Sequence, residues 1–280
     1  MQNDKLNNYY VLIASSQDLA GMTMINHLLR SAGFDSGDKS GTEQSYNSDR
    51  YKNIQLCISS GSLLTLENLD NLYPNADAFI FLSKHRSESC IPTLTCHCTG
   101  NFDRDNAYGG NPYEIAISYP SLQKGYLKAI TAVRQKVPQY DVIIEATHHG
   151  PTSLHKPVLF VELGSSETQW SDNNAASVVC DTLIKILENR PEQCDKIGIA
   201  LGGTHYPIKF NNLLLNSKFG LAAVASKHNL EAIDEDMLHQ MIEKSVEKVT
   251  HIILDSKGLG PQKDRIMKLA RKTNLELYKI

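Results

Sequence analysis

The chain has 280 residues, with 28 Lys and Arg against 31 Asp and Glu, so its formal net charge is −3. Hydrophobic residues make up 41% and charged residues 21%, which is typical of a globular protein with one large or two small domains. No apolar run approaches the roughly 18 residues that span a bilayer, and the near-neutral charge excludes a broadly basic nucleic-acid-binding protein. Any RNA must therefore be bound by a local basic patch.

The start of the chain, MQNDKLNNYY, is polar and lacks the long apolar core of a secretory signal, so we expect a cytoplasmic protein. Six cysteines occur, at positions 57, 90, 96, 98, 180 and 194, and no CxxC pair is present. In a long cytosolic chain this pattern favours reduced, mostly buried thiols over a disulfide framework.

In the first half of the chain, short apolar runs alternate with amphipathic stretches. The apolar runs predict strands at residues 9–14, 54–59 and 78–83 and an extended segment at 91–98. The amphipathic stretches predict helices at residues 18–32 and 121–137, the second with Ser121 as its N-cap. The polar stretch from Asp35 to Asp49 is rich in Ser, Gly and Asp, so we expect a loop there.

The second half is more regular. Its apolar runs predict strands at residues 141–146, 157–163, 196–201, 220–225 and 251–255. Helices are expected at residues 173–189, 235–248 and 261–273. Strands that alternate with helices predict an α/β sheet with helices on both faces. We expect one domain over residues 1–280, in which residues 1–110 form an irregular subdomain packed on an α/β core of residues 111–280.

Polar side chains follow several predicted strands, and function in open α/β sheets usually lies beyond the carboxyl ends of the strands. His148 and His149 follow strand 141–146 and precede a Gly-Pro pair, where packing does not explain two adjacent imidazoles. Neutral imidazoles near a carboxylate form a zinc site, or a general base with its orienting acid. Further polar or glycine residues in or after predicted strands are Lys84, His85, His97, Glu162, Gly202, Gly203 and His205.

The other histidines carry less weight. Four belong to no recognisable constellation, so we expect ordinary surface or core residues: His27, His155, His239 and His251. His228 follows a strand and a lysine and is a minor candidate. The run Cys96-His97-Cys98 does not favour a cysteine-ligated zinc, because alternate strand residues share a face and His97 points the other way.

A glycine-containing loop, SKGLGP (256–261), precedes a basic helix near the C-terminus. Glycines before a helix N-terminus free backbone N–H groups to meet an anion, although the spacing is not that of a P-loop. Residues 255–280 contain seven Lys and Arg and three Asp and Glu. The basic helix is therefore either a phosphate-binding surface or a solvated face. Its basic side chains are Lys263, Arg265, Lys268, Arg271 and Lys272, with Lys257 in the loop before it.

Taken together, these segments resemble the archaeal and plant type of D-aminoacyl-tRNA deacylase. The motifs THHGP, ELGSSxxQW and GGTHY at these spacings are specific to that family. The matching stretches run nearly end to end: SSQDLAGM (15–22), LSKHRS (82–87), IPTLTCHCTGNF (91–102), YGGNPYEIA (108–116), EATHHGP (145–151), FVELGSSETQW (160–170), ALGGTHY (200–206) and SKGLG (256–260).

The resemblance implies hydrolysis of the ester that joins a D-amino acid to the 3′ end of tRNA, which removes amino acids of the wrong hand. It also implies zinc dependence and a phosphorylase- or peptidyl-tRNA hydrolase-like fold. The fold class we expect is therefore α/β, with a mixed central sheet, helices on both faces and an irregular N-terminal subdomain. The expected partner is D-aminoacyl-tRNA, with no membrane and no DNA, and the chain is expected to be a monomer or a homodimer.

Within that family, a metal or base cluster is expected from His148, His149, His205 and Glu162, with Zn²⁺ as the cofactor. Lys84, His85 and His97 are expected at its rim, where they donate to the oxyanion or to the ribose. Gly202 and Gly203 are candidates for an oxyanion hole. The substrate-binding set also includes Lys257, Gly258, Lys263 and Lys268. A metal-free reaction, assisted by a histidine or by the 2′-hydroxyl of the tRNA, stays open.

Two further functions stay open from the residues alone. The first is a metal-dependent aminohydrolase or peptidase acting on small amides, which needs only the histidine cluster. The second is a non-catalytic RNA-binding module, which needs only the basic helix. The ester hydrolase needs both features.

Overall fold

The computed structural model describes residues 8–280. The expectation that the chain lacks a secretory signal rests mostly on residues 1–7, which lie outside the described residues. Within residues 8–280, no helix is both long enough and apolar enough to cross a membrane.

The described chain folds as alternating strands and helices. The strands are β1 (Tyr10–Ser15), β2 (Asp35–Ser40), β3 (Glu43–Asn47), β4 (Ile54–Ser59), β5 (Ala78–Arg86), β6 (Thr93–His97), β7 (Gly100–Asn101), β8 (Glu114–Ile115), β9 (Asp141–Ile144), β10 (Val158–Ser165), β11 (Lys196–Leu201), β12 (Phe219–Ala225), β13 (His251–Leu254) and β14 (Glu276–Lys279). The helices are α1 (Leu19–Ser31), α2 (Leu69–Leu72), α3 (Pro120–Ala132), α4 (Glu167–Trp170), α5 (Asn173–Leu187), α6 (Ile208–Asn216), α7 (Glu235–Glu243) and α8 (Lys263–Arg271).

Eight strands form one large mixed sheet in the order β2-β3-β4-β1-β5-β10-β6-β9. Strands β4, β1, β5 and β10 are parallel, whereas β6 and β9 run in the opposite direction to β10. Alternate residues of each central strand face opposite sides, as the period of a β-strand requires. Leu12 and Ile80 pack with helices α1, α3 and α5, and Val11 and Phe79 pack under a 3₁₀ turn at Leu63–Thr65 and α2. The expected mixed sheet with helices on both faces is confirmed.

Four further strands form a separate parallel sheet in the order β12-β11-β13-β14. One face of this sheet contributes Ala200, Val224 and Ile253 to the same core as the large sheet. The other face packs against α7 and α8 in a second core. The two sheets thus share one continuous apolar core.

Helices α1, α5 and α7 each begin where an aspartate side chain satisfies free backbone N–H groups. Asp18 accepts from the N–H of Gly21 at the start of α1, Asp172 caps α5, and Asp234 caps α7. Helix α3 begins one residue earlier than expected, with Pro120 in its first turn and Tyr119 as the N-cap. Ser121 instead donates its hydroxyl to Glu247.

Two expectations for the N-terminal region were wrong. The polar stretch from Asp35 to Asp49 is an antiparallel hairpin of β2 and β3 at the edge of the large sheet. Because edge strands are solvated, they tolerate a polar sequence whose composition is typical of a loop. The region before residue 110 is not irregular, since it supplies β1 to β6, six of the eight strands of that sheet.

The cysteines follow expectation. None of the six forms a disulfide in the described chain, and Cys57, Cys96, Cys98 and Cys180 are buried. Cys96 lies in the core under the helices, on the side of β6 opposite to His97.

Candidate active site

Three neighbouring strands place polar side chains on one face of the large sheet. His97 of β6 pairs with Phe160 of β10, and His85 of β5 pairs with Gly164, two residues beyond Glu162. Directly opposite residues share a face, so His85, His97 and Glu162 converge. Gly164 leaves the required space, because an added Cβ there would lie 2.2 Å from the carbonyl oxygen of His85.

The segment after β9 covers this face and connects the two sheets. The N–H of Ala146 donates to the carbonyl of His205 at 2.8 Å, and the N–H of Thr147 donates to the carbonyl of Val224 at 2.9 Å. These bonds bring the loop after β11 onto the large sheet. The loop therefore delivers His205 to Glu145, with 2.7 Å between Nε2 and Oε2.

Two buried carboxylates form the centre of the cluster. Glu145 also lies 3.1 Å from Nδ1 of His85 and 3.8 Å from Nε2 of His148. Glu162 lies 3.4 Å from Nδ1 of His85 and 3.6 Å from Nε2 of His97. Both carboxylates are almost fully buried, at 2% and 4% exposure. Burial of two acids is costly unless cationic or hydrogen-bonding groups compensate, and here the imidazoles do so.

Hydrogen bonds to backbone carbonyls fix the rings of three histidines. Nδ1 of His97 lies 3.1 Å from the carbonyl of Cys98, Nδ1 of His148 lies 2.8 Å from that of Ala146, and Nδ1 of His149 lies 2.7 Å from that of Gly150. A carbonyl only accepts, so each Nδ1 carries the proton, and in the neutral ring Nε2 keeps a lone pair. This carbonyl bond is the arrangement that orients metal-binding histidines.

The surroundings of the Nε2 atoms favour a bound cation. Nε2 of His97 is buried without a hydrogen bond, and it faces an oxygen of Glu162. Oε1 of Glu145 is also buried, and its contact with Nδ1 of His85 at 3.1 Å lies outside hydrogen-bond geometry. Two lone pairs that face each other in a buried site repel, so a proton or a metal ion between them is favoured. Candidate ligand groups are His97, His148 and His149; Glu145, His148 and His205; and His85, Glu145 and Glu162.

The cluster divides its histidines by charge. Burial opposes protonation of His85, but its contacts with Glu145 and Glu162 outweigh burial and raise its pKa to about 10. Burial and the neighbouring imidazoles lower the pKa of His149 to about 4, and they lower the pKa of His148 well below its ordinary value. His85 is therefore a cation at neutral pH, whereas His148 and His149 are neutral.

The contacts with the histidines lower the pKa of both carboxyl groups. Burial acts to raise the pKa of Glu145, yet its bonds to His205 and His85 hold that pKa well below the ordinary value. The pKa of Glu162 is also lowered, because His85 and His97 outweigh its burial. Both groups are ionised at neutral pH and able to accept a proton.

A second set of contacts fixes the loop that carries the paired histidines. His149 has a positive φ of 45°, which a non-glycine residue adopts only when the surroundings impose it. Glu67 accepts the backbone N–H groups of Thr152 and Ser153, each at 3.0 Å. Glu114 accepts both of their hydroxyls and pairs with Lys244 at 3.1 Å. These carboxylates hold the loop immediately after His149.

The structure brings six of the seven expected catalytic residues together: His85, His97, His148, His149, Glu162 and His205. Lys84 is not among them, because it alternates with His85 on β5 and its Nζ lies over the ring of Trp170. Sequence reasoning missed Glu145 and Tyr206, whose Oη lies 3.0 Å from Nε2 of His85. The signals were present, since Glu145 opens EATHHGP and Tyr206 ends GGTHY.

The expected substrate-binding residues are not members of the cluster; the glycines and Lys257 follow strands β11 and β13 of the smaller sheet. The N–H of Gly202 donates to the carbonyl of Ala225 at 2.9 Å, so it is not available for an oxyanion hole. Gly203, Lys257 and Gly258 line a cavity there. Lys263 and Lys268 are exposed on α8, whereas Arg265 of that helix is used on the carbonyls of Leu230 and Ile233.

An α/β fold with a buried histidine–carboxylate cluster beside its sheet is the arrangement expected of an enzyme, because such groups supply acid–base catalysis or metal ligands. The family model for D-aminoacyl-tRNA deacylase matches residues 72–278. The chain is 34% identical to a D-aminoacyl-tRNA deacylase of Cenarchaeum symbiosum, over 95% of this chain and 98% of that protein. It is 30% identical to one of Methanosarcina mazei, over 98% and 93%. The chain belongs to the D-aminoacyl-tRNA deacylase family.

A solved structure has the same fold. The crystal structure of a conserved protein of unknown function, AF0625, superposes with a TM-score of 0.88 at 25% identity, over 97% of this chain and 95% of that one. The two-sheet architecture is therefore shared with AF0625 over nearly the whole length of both chains.

Proposed function

We propose that this protein hydrolyses the ester between a D-amino acid and the 3′ end of tRNA, and releases the free D-amino acid and tRNA. The observation that carries the proposal is the convergence of five family-motif histidines on two buried carboxylates. Because tRNA is a cytoplasmic molecule, we also propose a cytoplasmic location for the enzyme.

The residues divide the work by their charge. Glu145 and Glu162 are ionised, so either carboxylate is able to act as the general base that takes a proton from an attacking water. His85 is cationic, and its positive charge offsets the negative charge that develops on the ester oxygen. Tyr206, in contact with His85, is placed to donate to a ribose hydroxyl. The 2′-hydroxyl of the substrate, next to the ester, is a further group that could assist the hydrolysis.

We also propose that the cluster holds Zn²⁺. The donor set fits this ion, because His97, His148 and His149 present Nε2 lone pairs and fix Nδ1 on carbonyls. Glu145 and His205 form an overlapping set with His148, so His97 and Glu145 join the ligands expected from sequence. Bound zinc would polarise the ester carbonyl and lower the pKa of a water to about 7.

The test is hydrolysis of D-tyrosyl-tRNA and L-tyrosyl-tRNA by the purified chain. We expect release of the D-amino acid from this and other tRNAs, with the L-ester spared. Equal rates on the two enantiomers would contradict a chiral deacylase. Hydrolysis of small amides with no action on either ester would identify the aminohydrolase or peptidase, and tRNA binding without hydrolysis would identify the RNA-binding module.

A further inference from the structure

The cavity lined by Gly203, Lys257 and Gly258 has a volume of about 550 Å³ and lies at the end of the smaller sheet. The residues that line it follow directly after the carboxyl ends of three parallel strands, β11, β12 and β13. That position is where open parallel sheets bind ligands. The lining used below comprises Gly203, Thr204, Lys227, Asp255, Lys257 and Gly258.

The charges of the cavity favour an anion. Lys227 and Lys257 are exposed, and neither forms an ion pair with any residue of the described range 8–280. Asp255 is buried, but Nζ of Lys209 lies 2.6 Å from its Oδ1 and neutralises it. Glu231, an exposed residue of the lining, is the remaining acid. Two lysines without ion-pair partners therefore line the cavity, and one acid does not neutralise their combined charge.

The backbone of the cavity is shaped for close approach. Gly203 has a φ of +79°, and an added Cβ on Gly258 would lie 2.3 Å from the backbone nitrogen of Gly203. The two loops thus pack main chain against main chain, which only glycine permits. A ligand at this point meets backbone dipoles and lysine ammonium groups without intervening side chains.

The cavity adjoins the histidine cluster along the chain. Thr204 lines the cavity, and the next residue, His205, bonds to Glu145. Consecutive Cα atoms are about 3.8 Å apart, so the edge of the cavity at Thr204 lies next to a residue of the cluster. In a nucleotide esterified at its 3′-hydroxyl, the sugar lies between the 5′-phosphate and the ester, so these two groups are a short distance apart.

We infer that this cavity binds the 5′-phosphate and sugar of the terminal nucleotide of the tRNA while the ester lies at the histidine cluster. The inference rests on the proposed function and deepens it. Lys227 and Lys257 are the phosphate-binding side chains. The cavity thereby makes the enzyme select esters of a nucleotide over esters of a simple alcohol or a nucleoside.

The experiment compares two small substrates, 3′-O-D-tyrosyl-adenosine and the same ester with a 5′-phosphate. We expect wild-type kcat/KM to be at least about tenfold higher with the phosphate, the size of one charge-assisted hydrogen bond. In Lys227→Ala/Lys257→Ala this advantage should disappear, mainly through KM. Lys227→Arg/Lys257→Arg should retain it, and so should the surface control Lys128→Ala/Lys185→Ala.

Each result has a distinct meaning. A phosphate advantage that survives in the double alanine variant, with thermal unfolding unchanged, would overturn the inference. So would a wild type that hydrolyses both esters equally, and that result would leave the deacylase function intact. A wild type that hydrolyses neither ester, nor D-tyrosyl-tRNA, would overturn the proposed function and this inference with it.

Discussion

The histidine–carboxylate cluster and the lysine-lined end of the smaller sheet use charge in opposite ways. In the cluster, Glu145, Glu162 and His85 are nearly inaccessible, and each has partners within 3.6 Å. At the sheet end, Lys227 and Lys257 are exposed, and so are Lys263 and Lys268 on α8. Buried charges interact strongly and are fixed in place, whereas exposed charges are screened and mobile. The cluster is therefore suited to chemistry, and the lysines are suited to holding a polyanion.

The largest effect should come from breaking the cluster. We expect His148→Ala or His149→Ala to lower turnover of D-tyrosyl-tRNA by at least about 10²-fold, the lower range for losing a positioned acid–base group. The fold should survive, because both side chains lie in a loop outside the apolar cores. His155→Ala is the matched control, since His155 is exposed and contacts Asp70 instead. Full activity in both folded variants would show that the histidine pair has a structural role only.

Removing metal tests the same region differently. We expect the purified protein to contain zinc by elemental analysis, and dialysis against a chelator to abolish most activity until zinc is restored. The expected reason is that His97, His148 and His149 bond a backbone carbonyl through Nδ1 and keep Nε2 for a metal, beside the two buried carboxylates. Metal content should fall in His148→Ala, which gives a readout independent of turnover. Full activity of a metal-free preparation would contradict the zinc proposal.

A smaller effect should follow when the loop support is removed and the cluster is kept. Glu67→Ala frees the two N–H groups that hold the loop after His149. We expect kcat to fall about tenfold with little change in KM, because misplacement of a catalytic group costs rate. The free energy of unfolding should fall by about 1–3 kcal/mol.

Glu67→Gln keeps one carbonyl acceptor, so its kcat should lie between that of the wild type and that of the alanine variant. An exposed acid, Glu88, provides the control as Glu88→Ala. A rise in KM with kcat unchanged would place Glu67 in substrate binding and not in support of the loop.

The smallest effect per residue should come from the exposed helix. If α8 binds tRNA phosphates, Lys263→Ala/Lys268→Ala should weaken binding for all aminoacyl groups alike. The log–log salt slope should fall by roughly 0.7–0.9 for each lost contact. Lys272 is a poorer choice, because it pairs with Glu235. Lys128→Ala/Lys185→Ala is again the control, and an unchanged slope in the α8 variant would mean that the RNA lies elsewhere.

The sequence by itself determined the central strands and most of the site. Strands β1, β4, β5, β10 and β11 lie within one or two residues of the expected ranges, except that β5 continues to Arg86. Their apolar runs are long and uniform, and burial on both faces demands that composition. The sequence also predicted that the histidine motifs are functional, because packing does not explain two adjacent imidazoles before Gly-Pro.

Only the tertiary structure decided which sheet each strand joins and which residues face the cluster. The polar hairpin of β2 and β3 forms because the edge of a sheet already exists for it to pair with. Lys84 and His85 are neighbours in sequence, yet strand alternation sends one to Trp170 and the other to Glu145. Glu145 and His205 meet because the loop after β9 bonds to both sheets, a contact between residues 60 positions apart that no local pattern encodes.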